Sequence, residues 1–187
     1  MFIDDKLIVM IKTECTSIKW IETVTKSTHA RDKILVEKII RALMMLEGLA
    51  TSNLNFVFKG GTALMLLFNS SKRLSIDIDI IVPDKSTDIK NIVKTICKDY
   101  GFTHAEEQPR KTKTIIDKVH FKLFFESAVE GKESYVLLDI LKEQVHYQTV
   151  NEVTIESPFV QLDSAPVKVK VPDFNNILGD KLTAFAP

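Results

Sequence analysis

The stretch "RLSIDIDIIV", Arg73 to Val82, alternates strictly between two kinds of side chain. Leu74, Ile76, Ile78 and Ile80 fall on one face of an extended chain, and Arg73, Ser75, Asp77 and Asp79 on the other. The period predicts a strand closed by Pro83-Asp84, with Asp77 and Asp79 side by side and roughly 7 Å apart along the backbone. The isoleucines anchor this strand in a core, so the carboxylates are held stiffly on its other face. Two carboxylates that close disfavour each other's ionisation, and a cation between them removes the conflict. Magnesium suits such a site, because it takes hard oxygen ligands and is often held by one or two carboxylates plus substrate phosphates. A half-exposed strand with a polar outer face is the plain alternative.

The residues just upstream add to this. "LNFVF" (54–58) reads as a short buried strand, broken by Gly60-Gly61 and followed by a helix over "TALMLLF" that Asn69, Ser70 and Ser71 end. A strand, a glycine turn and a helix N-terminus present free backbone N–H groups to a phosphate, and glycine lets it approach closely. Thr62 adds a hydroxyl donor. An ordinary strand-to-helix turn is the bland account of the same residues. Taken together, Gly60, Gly61 and Thr62 with the paired aspartates describe a site for a metal-bound polyphosphate. Asp139, in "YVLLDIL", is a third acid set among apolar residues. If its strand neighbours 74–82, the three carboxylates supply what two-metal phosphoryl chemistry needs. An aspartate near a strand edge explains the same spacing.

The remaining segments predict an α+β fold. Residues 4–50 read as helical, with a stripe of Leu35, Ile39, Leu43 and Leu46. "STDIKNIVKTICKDYG" reads as a helix capped by Ser86 or Thr87 and ended at Gly101. Residues 114–127 and 134–142 read as strands of a hairpin around Gly131, "VKVKV" (167–171) as an extended piece, and Asp173 onward as a helix. That last helix is expected to bury Phe174, Ile177, Leu178, Leu182 and Phe185, with Lys181 inside the stripe, so that Lys181 snorkels or meets an anion. The expected architecture is a short mixed, mostly antiparallel sheet flanked by helices, with an N-terminal helical extension (1–50) before the main domain (51–187). The chain stops just after a helix with an apolar face, from which we expect the natural chain to continue.

Composition excludes several classes. Apolar residues at 45% and charged residues at 27% are a globular balance rather than a disordered one. Net charge is zero, so the whole chain is no general polyanion binder; the basic run "PRKTK" (109–113) reads as a solvated loop. Cys15 and Cys97 fit no metal spacing and read as reduced thiols. No apolar run is long enough to span a bilayer and the start lacks a signal-peptide pattern, so a cytoplasmic protein with no membrane partner is expected. His29, His104, His120 and His146 show no ligand spacing, and His120 reads as an ordinary strand residue.

"FKGGTALMLLF…RLSIDIDI" resembles the nucleotidyltransferase superfamily that includes DNA polymerase beta, and more closely the AbiEii/AbiGii toxin family of toxin–antitoxin and abortive-infection systems. "ILGDKLTAFAP" resembles the same family's next motif. The resemblance covers about residues 31–187 and implies a nucleotidyltransferase domain. It implies that Gly61 and Thr62, beside Gly60, hold the triphosphate, and that Asp77 and Asp79 bind metal. It further implies that Asp139 is the third carboxylate, that Arg73 and Ser75 shape the nucleotide site, and that Lys181 lies near the phosphates. The family's arginine–aspartate motif and C-terminal helical part are not in this chain. The implied activity is transfer of a nucleoside monophosphate from an NTP to an acceptor hydroxyl, with two magnesium ions or manganese in their place. The implied acceptor is RNA such as tRNA, with a cognate antitoxin as partner. Transfer to a protein, or a non-catalytic module that binds nucleotide or partner, are the alternatives.

Overall fold

The computed structural model describes residues 10–69, 74–108 and 117–185. Arg73, the basic run 109–113 and residues 4–9 of the expected N-terminal helix lie outside them, as does the Phe185 side chain.

The N-terminal region is not one helical run. A short 3-10 turn (Thr13–Thr16) precedes α1 (Ile18–Ser27), and α2 (Lys33–Thr51) follows a break at His29, whose φ is 54°. Ser17 caps α1 by accepting from the Trp20 amide, and Asp32 caps α2 by accepting from the Ile34 and Leu35 amides. Ile11 instead makes an isolated bridge to Leu162. The buried Glu47 of α2 accepts from the Met10 and Ile11 amides, which fixes that segment as extended. Glu37 similarly accepts from Ser127 and from the Ala128 amide.

Strand β1 (Val57–Lys59) runs straight into α3 (Gly60–Leu67), so the two glycines form the first turn of the helix rather than a gap before it. Strand β2 covers only Ile78–Ile81, and 74–77 lie outside the ladder. Helix α4 (Ile89–Asp99) is capped by Asp88, not Ser86 or Thr87, because both of those hydroxyls donate to Asp84. Strand β3 (His104–Glu107) was not signalled by its polar sequence. Strands β4 (Asp117–Glu126) and β5 (Glu133–Lys142) form the expected hairpin, with Gly131 at φ 63°. Strands β6 (Val150–Thr154) and β7 (Lys168–Pro172) make a separate antiparallel pair, and α5 (Phe174–Phe185) begins where Asp173 accepts from the Asn176 amide.

The main sheet has five strands in the order β1-β2-β5-β4-β3. Only β2 and β5 pair in parallel, so the sheet is mixed. One face carries the core over β2, β5 and the middle of β4. Ile78, Ile80, Leu138, Ile140, Leu123 and Phe125 meet α2 and α4 there. Each such side chain contributes roughly 1.5–3 kcal/mol by leaving water. A one-residue slip would swap them for aspartates, so the register is strongly fixed. Cys15 and Cys97 are buried and unbridged.

Helix α5 sits differently from expectation. Ile177 is buried, but Phe174, Leu178 and Leu182 are 45%, 40% and 65% exposed. Ile177 faces inward, and the part-exposed Asp180 carboxylate ties the helix to Tyr147 and Lys59.

Candidate active site

The second face of the sheet carries a row of polar side chains produced by strand register. Lys59 of β1 faces Asp79 of β2, Asp79 faces Asp139 of β5, and Asp139 faces His120 of β4. Four neighbouring strands therefore contribute one polar residue each, at the same level. The expected adjacency of Asp139 to the 74–82 segment is what the parallel β2–β5 pairing produces. Asp77 lies just before β2, close enough to feel the Asp139 charge. Lys59, Asp79, Lys118, His120 and Asp139 line a cleft of about 190 Å³. A larger cleft of about 550 Å³, lined by Lys90, Lys94 and Lys98, lies between α4 and β3, but it lacks paired acids.

Electrostatics single out Asp79. Burial, then the neighbouring Asp139 and Asp77 charges, push its carboxyl up to about 6, against partial relief from Lys59 and Lys181. Burial and Asp139 likewise raise Asp77, with Lys38 opposing. The Asp77 and Asp79 carboxylates, both raised by burial and by the Asp139 charge, are hard oxygen donors of the kind a divalent cation takes. Among the described residues, no three acid, imidazole or thiol groups are gathered closely enough to enclose a metal by themselves. A cation on this row would need water or phosphate oxygens to complete its shell, which is how magnesium is commonly held.

The glycine turn is built against the acids. Gly60 has φ 84°, and a Cβ there would lie 2.1 Å from Asp79 Oδ2. A Cβ on Gly61 would lie 2.6 Å from Ser75 Oγ. Both glycines thus bring the start of α3 onto the carboxylate strand. No side chain caps α3, which leaves its first amides free to face an anion. Thr62 departs from expectation. Its side chain is fully buried and donates to the Asp77 carbonyl at 2.7 Å, so its hydroxyl proton fixes the start of the acid strand rather than facing a phosphate.

Lys181 is half-buried and near enough to Asp79 to offset its charge. Its neighbour Asp180 accepts from the Tyr147 hydroxyl at 2.6 Å and pairs with Lys59 at 3.5 Å. Burial and that bond to Asp180 raise the Tyr147 phenol. This network ties α5 to the acid row.

Sequence alone reads His120 as an ordinary strand residue, leaves Lys59 equally suited to a phosphate or to solvent, and does not single out Tyr147 or Asp180. His120 was findable: a hairpin turning around Gly131 places it opposite Asp139. Tyr147 sits in an irregular segment and carries no sequence signal.

A family model described as "Nucleotidyl transferase AbiEii toxin, Type IV TA system" matches residues 41–187. Among solved structures, MenT4, the nucleotidyltransferase toxin Rv2826c from Mycobacterium tuberculosis H37Rv, superposes with a TM-score of 0.50 at 17% identity, over 88% of this chain and 58% of that one. JHP933 from Helicobacter pylori superposes with a TM-score of 0.49 at 19% identity, over 79% of this chain and 55% of that one. The chain thus spans between 55% and 58% of the length of these two structures. At such identities the likeness is one of fold. No curated protein matches the chain significantly in sequence.

Proposed function

The chain belongs to the AbiEii nucleotidyltransferase toxin family, and on that premise we propose that it transfers a nucleoside monophosphate from an NTP to an acceptor hydroxyl and releases pyrophosphate. The observation that carries the reading is the direct facing of Asp79 and Asp139 on adjacent strands, with the Gly60 turn closed against Asp79. Asp77, Asp79 and Asp139 are the residues that would hold magnesium. A divalent cation held there would supply charge to neutralise the triphosphate and to acidify the attacking hydroxyl.

The chain's own residues do the rest. The first amides of α3, at Gly60 and Gly61, bind phosphate oxygens. Lys181 and Lys59 place positive charge beside the pyrophosphate leaving group. Thr62 holds the Asp77 main chain, and Ser75 packs against Gly61 to set the spacing between cradle and acids. The acceptor oxygen forms its bond to the α-phosphorus as the bond to the bridging oxygen breaks, and the acid row takes up the hydroxyl proton.

The acceptor we favour is RNA, such as a tRNA 3′ end. The sheet face beside the acids supports it: Lys122 and Lys38 lie 4.4 and 5.1 Å from the centre of the half-buried Tyr135 ring. Cations over an aromatic ring suit a nucleic-acid strand. The biological outcome in this reading is growth arrest, relieved by a cognate antitoxin.

The test is transfer of label from each of four α-labelled NTPs, with magnesium, into total RNA and total protein, beside the Asp77→Ala variant. The reading predicts label in RNA that falls at least a hundredfold in the variant. Label in protein would replace the acceptor class. No label in either would overturn the transfer reading.

A further inference from the structure

We propose that His120 is the positioning residue for Asp139, fixing which oxygen of that carboxylate is left for the cation. The inference rests on the acid row being a cation site and adds a residue that the row alone does not name.

His120 and Asp139 are direct register partners, and the imidazole Nδ1 is hydrogen-bonded to Asp139 Oδ1. The histidine side chain is 17% exposed and the aspartate side chain 38%. The imidazole is thus the better fixed of the two. The other ring nitrogen, Nε2, is buried and has no hydrogen-bond partner among the described residues. A buried N–H left without a partner costs roughly 1–3 kcal/mol. That cost, and the fact that an ionised carboxylate only accepts, make Nδ1 the donor to Asp139.

Two consequences follow from that arrangement. Asp139 is held by one oxygen, so its half-exposed carboxylate does not rotate freely, and Oδ2 is the oxygen left over. His120 also offers substrate no open ring nitrogen, since Nδ1 is committed to Asp139 and Nε2 is buried. Its influence passes through Asp139. Hydrogen bonds of this kind to metal-holding side chains commonly set affinity by ten- to a hundredfold.

The experiment is a Mn2+ titration of the full chain, read by electron paramagnetic resonance. It compares the wild type with His120→Phe, His120→Asn and Asp79→Asn. Phenylalanine keeps the ring and loses the donor, while the asparagine amide places an N–H close to the Nδ1 position. His120→Phe is expected to bind Mn2+ about tenfold or more weakly, and His120→Asn to recover most of that loss. Nitrogen-15 spectra of the wild-type imidazole are expected to show the proton on Nδ1 and to change in Asp139→Asn, a readout that stands even if a variant misfolds. Equal affinity in wild type and His120→Phe, an asparagine variant as weak as the phenylalanine one, or a proton on Nε2 would overturn the proposal while leaving the acid row intact. A wild type that binds Mn2+ no better than Asp79→Asn would overturn the cation reading, and this proposal with it.

Discussion

Asp79 is held against the backbone turn at Gly60 on one side and against two other acids on the other. Its carboxyl, ordinarily near 3.8, is raised to about 6, so the fold disfavours its charge. Between pH 4 and 6 the folded state keeps a proton that the unfolded chain has already released. Stability from this group therefore falls as pH rises through that window, and the loss is complete above it. Asp79→Asn removes the conflict. At pH 7.5 without metal it is expected to stabilise the chain by about 1–3 kcal/mol, a rise of about 3–9 °C in melting temperature. At pH 4 the gain should vanish, and magnesium should stabilise the wild type but not the variant. Thermal melts at the two pH values check this, and a gain independent of pH would refute the cause given. At this scale the sequence was informative where alternation alone decides which residues share a face, as for Ile78 and Ile80 in the core with Asp79 turned the other way. It was uninformative about Thr62, because whether a buried hydroxyl turns toward a ligand or toward its own chain depends on a carbonyl fifteen residues away.

The decisive element is the junction of β1 and α3. Gly60 meets two demands at once, a φ of 84° and the close approach of Asp79. Gly131 meets only the first, with φ 63° and open space around it. Alanine at Gly131 is expected to cost the left-handed backbone alone, roughly 1 kcal/mol. Alanine at Gly60 adds the clash and is expected to cost roughly 2–4 kcal/mol and to abolish metal-dependent NTP binding. Paired melts and NTP titrations of the two variants separate these effects; similar losses in both would show that Asp79 has room to move away. Elements with a strong pattern were legible, notably α4 and the β4–β5 hairpin. Strand β3 was not, since His104, Glu106 and Glu107 are polar and the strand is held by its backbone pairing with β4. Helix α5 was placed correctly but rotated wrongly. Its apolar residues suggested a buried stripe, whereas the inward face is set by the contact of Asp180 with Tyr147 and Lys59.

In the whole molecule, a polar row is assembled from two strand pairs, β1–β2 and the β4–β5 hairpin, that are far apart in the chain. The parallel pairing of β2 with β5 brings Asp139 to Asp79 across sixty residues. Periodicity cannot reveal such a pairing; only the motif resemblance anticipated it. The mixed α+β class, the helices packed on the buried sheet face and the common origin of Asp77 and Asp79 followed from pattern. The sheet order, the separate β6–β7 pair and the role of Lys59 depend on long-range packing that local pattern does not encode. The most direct test of the account is anomalous diffraction from crystals of the chain grown with Mn2+ and a non-hydrolysable NTP analogue. The account predicts a manganese peak bridging the Asp77 and Asp79 carboxylates, with the triphosphate over the Gly60-Gly61 turn. Triphosphate bound in the lysine-lined cleft beside α4, with no metal on the aspartates, would contradict it.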